Sequence, residues 1–158
     1  MLLLAKIILI GSLGGICYQD VKDRKVYWFL FPITALSAGL LFWNKTITEL
    51  FFLATIINLM FVSSLLLIVL LYARLKLKTS IKSVFGMGDL LLFIGLSFTF
   101  SSISFIVIFS CSLIFSLLIH LFLKKDNILV PLAGYMSLFF GLTYIAYWSG
   151  VINSIYSL

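Results

Sequence analysis

Charge is what this sequence has least of: 10% of its 158 residues are Asp, Glu, Lys or Arg, and only five of those are acidic. Soluble domains carry about a quarter charged residues. Against that deficit stand 63% hydrophobic residues and a mean hydropathy of +1.26. No water-soluble core of this size hides so much apolar surface, so lipid must cover much of it. Cysteine is scarce too. Cys17 and Cys111 lie in different apolar segments, with no second Cys or His at ligand spacing, which excludes a disulfide framework and a zinc site. His120 is the one histidine, and no metal or organic cofactor is expected. The formal charge of +6 comes from short basic clusters between apolar runs rather than from one soluble face. That pattern marks membrane topology and excludes nucleic acid as a partner.

What is abundant is long apolar runs. A membrane span needs about 20 such residues, and the sequence divides into about six: 2–19, 26–43, 50–73, a long stretch 89–123 that breaks near Ser101-Ser102 into a short fourth span and a fifth, and 128–148. Lys6 interrupts the first run, and Ile16 precedes Cys17 where a lipoprotein signal wants a small residue, so this segment reads as a retained helix. Pro32 falls inside the second span and Pro131 in the first turn of the sixth. Gly11, Ser12, Gly14 and Gly15 predict close packing of the first helix. The expected fold is all-α, a polytopic membrane protein with residues 1–158 forming a single transmembrane domain.

Orientation follows from the loops. Lys22, Arg24, Lys25, Arg74, Lys76, Lys78, Lys82, Lys124 and Lys125 follow spans one, three and five, whereas the other side holds only Lys45. The positive-inside rule places the basic side in the cytoplasm. The acidic residues sort by the same criterion. Glu49 lies on the outer side, and Asp126 sits beside two lysines in a polar loop. Asp20 closes the first span and Asp89 opens the fourth directly after Gly86-Met87-Gly88. Both therefore share the cytoplasmic edge, where carboxylates are costly and point to function. Two carboxyls at close range cannot both ionise easily and share a proton. The ionised one then activates water while the protonated one polarises a peptide carbonyl. The two glycines permit close backbone approach and otherwise strained angles.

The segment Asp20-Val21-Lys22-Asp23-Arg24-Lys25-Val26 resembles the first motif of type IV prepilin peptidases, and Gly86-Met87-Gly88-Asp89 resembles their second, G-x-G-D. Val130-Pro131-Leu132-Ala133-Gly134-Tyr135 is similar to the start of that family's last helix. The resemblance implies an intramembrane aspartyl endopeptidase with Asp20 and Asp89 as the catalytic pair and Gly86 and Gly88 as the turn presenting Asp89. Its implied substrates are prepilin- or pseudopilin-like precursors, cut behind their basic leader at the cytoplasmic face of a prokaryotic inner membrane. Such a protein serves type IV pili or protein secretion. Tyr27 stands where the family usually has proline, and Leu91 where many members have lysine. No C-x-x-C pair is present, so N-methyltransferase activity has no support. Asp23 is the rival to Asp20, and with Asp126 a candidate contact for the basic leader. A small transporter or proton-conducting protein built on the paired carboxylates, or a non-catalytic assembly subunit, are the alternative readings. His120 and Asn58 read as interhelical hydrogen-bonding groups.

Overall fold

A long apolar run can satisfy its backbone hydrogen bonds internally only by coiling into a helix, and in the computed structural model every regular element among the described residues is helical. The structure describes residues 1–77, 86–123 and 130–156, and Lys78, Lys82, Lys124, Lys125 and Asp126 lie outside the described residues. Among the described residues six α-helices follow one another: α1 (Leu2–Asp23), α2 (Leu30–Trp43), α3 (Thr48–Tyr72), α4 (Met87–Leu96), α5 (Ser102–Phe122) and α6 (Leu132–Trp148). A π-helical turn, Ala73–Leu77, continues α3.

Leu2–Asp23, Thr48–Leu75 and Ser102–Phe122 are long and apolar enough to cross a membrane. The other three are shorter, at 14, 10 and 17 residues. At 1.5 Å per residue these reach about 21, 15 and 26 Å, less than the roughly 30 Å of a hydrocarbon core. The second helix starts at Leu30 rather than at position 26, because residues 24–29 form the turn that reverses the chain. Pro32 is thereby the third residue of α2, where its missing N–H leaves no intrahelical bond unmade. Pro131 stands at the cap of α6, immediately ahead of the first turn.

The break near Ser101 is present, with residues 97–101 outside any helix. The carbonyls it frees are not left bare. Buried Asn58 of α3 donates to Ser97 O at 3.1 Å and to Phe100 O at 3.0 Å, so one amide holds the α4–α5 corner against α3.

Helix α1 runs beside both α2 and α6, while α4 lies against α2, α3 and α6, and α5 against α3 and α6. The shared interior holds Leu9, Leu13 and Ile16 of α1, Phe31 of α2, Leu92, Phe93 and Leu96 of α4, and Met136 and Phe140 of α6. Phe93 meets Phe109 edge-on at 4.9 Å, and Phe100 stacks on Phe140 at 5.8 Å. The outer faces are equally apolar: Leu3, Ile7, Met60, Ile68, Ile114 and Leu121 are all exposed. Hydrophobicity therefore does not separate inside from outside here, which is the arrangement expected when lipid is the solvent. Small polar residues mark the helix seams instead. Thr34 of α2 donates to Ser12 of α1 at 2.9 Å, and a Cβ on Gly15 would touch Leu30 at 3.5 Å. Gly11 and Gly14 face open space, so only part of that small-residue stretch serves packing within the chain.

Candidate active site

The helices alternate in direction, which brings the last turn of α1 and the first turns of α4 and α6 to one end of the bundle. Asp20 lies in the last turn of α1, one turn before the left-handed Arg24 (φ 55°, ψ 22°), whose N–H donates to Asp20 O at 3.2 Å. Beyond it, the turn is tied back by Tyr27 N–H donating to the Gln19 side-chain carbonyl at 3.0 Å. That bond uses an amide hydrogen that a proline at position 27 would lack.

Asp89 is the third residue of α4, behind the cap residue Gly86. Its carboxyl accepts from the Gly86 amide, the reach-back that a third-position acid makes in a capping box. The glycines divide the work unequally. A Cβ on Gly86 would lie 2.9 Å from Asp89 Oδ2, whereas one on Gly88 would meet Phe31 Cζ at an ordinary 3.5 Å. Gly86 has φ −69° and ψ 138°, open to any residue, so the expected strained angle is absent at this cap and close approach alone accounts for the glycine.

The two aspartates meet on α6. Ala133 N–H donates to Asp89 Oδ1 at 2.9 Å, and Gly134 N–H donates to Asp20 Oδ2 at 2.7 Å. These are consecutive amides of the first helical turn, which no intrahelical carbonyl can satisfy, and the helix dipole there favours carboxylates. Leu132 N–H bonds Val130 O and Tyr135 N–H bonds Pro131 O, completing the first turn. Gly134 is held tight against α1: an added Cβ would lie 3.0 Å from Val21 Cγ2 and 3.2 Å from both Asp20 Cβ and Asp20 Oδ2. Both carboxyls are half-buried. Asp89 feels the charge of Asp20, and Arg24 acts on both.

Of the residues singled out in the sequence, Asp20, Asp89 and Gly86 come together here. Asp23 is exposed at the very end of α1, three residues beyond Asp20. Glu49 is exposed in the first turn of α3, at the opposite end of the bundle. His120 lies on α5, its Nδ1 buried without a partner among the described residues. Leu91 packs against the interior. What the sequence did not reveal as functional are the amides of Ala133 and Gly134. Backbone donors have no side-chain signature, and the only cue was a proline followed by small residues at a helix start.

An apolar groove of about 510 Å³ runs along the α1–α6 seam, flanked by Gly14, Cys17, Val21, Ser137 and Gly141, and so reaches the residue next to Asp20. Among the described residues, no group of three or more His, Cys, Asp or Glu side chains is placed to hold a metal ion. No protein-family model, no curated protein and no solved structure matches the chain.

Proposed function

We propose that this protein is an intramembrane aspartyl endopeptidase of the type IV prepilin peptidase kind, with Asp20 and Asp89 as its catalytic pair. The observation that carries this reading is the seating of two carboxyls, from α1 and α4, on consecutive amides at the start of α6. Each aspartate uses one oxygen on α6, which fixes the pair side by side. One shared proton then divides the labour: the ionised carboxylate takes a proton from the attacking water, and the protonated carboxyl donates a hydrogen bond to the scissile carbonyl. Hydrolysis by this route needs only water and the two carboxyls.

On this reading all six helices lie in the bilayer, the shorter ones within a bundle whose outer surface meets lipid. On the same reading the aspartates face the cytoplasm at a prokaryotic inner membrane, and support for that orientation comes from the basic residues that follow the first, third and fifth spans. The substrate is a prepilin- or pseudopilin-like precursor, a basic leader followed by an apolar helix. Support for an apolar substrate segment comes from the groove that opens beside Asp20. Support for hydrolysis over ion conduction comes from the interior beyond the aspartates, where Leu13, Ile16, Leu92, Met136 and Phe140 fill the space and the buried hydroxyls of Ser12 and Ser137 are turned to carbonyls of their own helices.

The test is co-expression of a leader-bearing precursor with the wild type, Asp20→Asn and Asp89→Asn, followed by intact-mass measurement of the precursor. The wild type is expected to remove the leader and both variants, at equal expression, to leave it in place. Cleavage by either variant removes that aspartate from the pair. A wild type inactive on several precursors refutes the peptidase reading.

A further inference from the structure

Tyr135 follows Gly134 directly and so belongs to the turn of α6 that seats both carboxyls. The residue is 4% exposed, and its hydroxyl is buried without a hydrogen-bond partner among the described residues. A buried hydroxyl left unpaired costs free energy, and folded proteins carry few of them. A phenylalanine would fill the same volume without that cost. The hydroxyl also lies within electrostatic reach of Cys17, Asp20 and Arg24. Those three positions are spaced by three and four residues and so share the side of α1 that carries Asp20. Tyr135 therefore presents a hydroxyl with no hydrogen-bond partner among the described residues, within electrostatic reach of one member of the pair and on the element that aligns both.

We propose that the Tyr135 hydroxyl donates a hydrogen bond to the oxygen of the scissile carbonyl, as a second donor beside the protonated carboxyl. The proposal rests on the peptidase reading above. Water oxygen bonds to the carbonyl carbon, one water proton passes to the ionised carboxylate, and the π pair moves onto the carbonyl oxygen. Tyr135 holds that developing negative charge and keeps its own proton. The carbonyl then re-forms as the C–N bond breaks. The departing nitrogen keeps the bonding pair and takes a proton from a carboxyl, which returns the pair to its singly protonated state. A preorganised donor of this kind acts where charge develops and leaves substrate binding largely unaltered.

The experiment compares the full-length wild type, Tyr135→Phe, Tyr144→Phe, Asp20→Asn and Asp89→Asn on one precursor with a basic leader and an apolar helix. It records kcat, KM and thermal midpoint. Tyr144, fully buried toward the other end of α6, is the control for losing a hydroxyl from this helix. Tyr135→Phe is expected to lower kcat about 100-fold, the scale seen on removing one oxyanion donor, with KM within about twofold. Its thermal midpoint should be unchanged or higher, since the lost hydroxyl had no partner. Tyr144→Phe is expected to keep wild-type kcat. Wild-type kcat in Tyr135→Phe overturns the proposal, and so does a loss of kcat that tracks a fall in thermal midpoint. Inactive aspartate variants with an unimpaired Tyr135→Phe remove this proposal alone, whereas active aspartate variants remove the aspartyl pair on which it rests, and a wild type without activity removes the peptidase reading.

Discussion

The tightest contact in the site lies at Gly134, and adding one methyl group there tests the arrangement directly. In Gly134→Ala the new Cβ would start 3.0 Å from Val21 Cγ2 and 3.2 Å from Asp20 Cβ and Oδ2. Val21 is β-branched and Asp20 Cβ is fixed to its own helix, so neither is a flexible end that swings aside. Helix α6 and the end of α1 must separate by a few tenths of an ångström, which lengthens the 2.7 Å bond from Gly134 N–H to Asp20. Overpacking of this kind costs about 1–3 kcal/mol. Replacing a helical glycine by alanine returns about 1 kcal/mol. The net loss of stability is then only about 0–2 kcal/mol. Catalysis suffers separately. A hydrogen bond to a charged group contributes about 1.5–3 kcal/mol, and losing about half of the upper figure is a factor of ten. Gly134→Ala is therefore expected to cut leader cleavage at least about tenfold per folded molecule. The assay is intact-mass quantification of precursor, normalised to the folded fraction from a thermal melt. Gly11→Ala is the control, because a Cβ there meets nothing within 4 Å. Cleavage by Gly134→Ala equal to wild type would refute the claim that Asp20 depends on its seat on α6.

The two glycines of the G-x-G-D segment should respond differently. Gly86→Ala places a methyl 2.9 Å from Asp89 Oδ2, and cleavage is expected to fall at least about tenfold as the carboxyl rotates away. Gly88→Ala meets only ordinary contact and should keep activity within about twofold. Equal losses in both would show that the steric account of Gly86 is wrong. At the opposite end, Asn58→Ala removes the donor to Ser97 O and Phe100 O. It is expected to destabilise the fold by about 1–3 kcal/mol, read as a lower thermal midpoint in detergent, and an unchanged midpoint would show that the α4–α5 corner needs no such tie.

Much of the architecture was legible in the sequence. Six apolar runs, their polar interruptions and the break near Ser101 mark six helices, because a polar turn is the one feature that an otherwise apolar chain cannot disguise. Boundaries were less visible. Val26–Phe29 reads as helix by hydropathy alone, yet it forms the turn after α1, tied by Tyr27 to Gln19. The facing of each helix could not be read either, since Leu3 and Ile7 outside are as apolar as Leu9 and Leu13 inside. Periodicity carries little information when both faces are greasy.

The candidate site divides along the same line. That Asp20 and Asp89 lie at one end of the bundle follows from counting the helices between them, which is a property of the sequence. Only the tertiary structure showed what holds them, the Ala133 and Gly134 amides and the bare approach of Gly134 to α1, and that the Tyr135 hydroxyl on the same turn has no hydrogen-bond partner among the described residues. A side chain announces its chemistry in the one-letter code. A backbone amide becomes a binding group only when a helix starts there and another helix brings it an acceptor, and that meeting depends on packing between residues 44 and 114 positions apart.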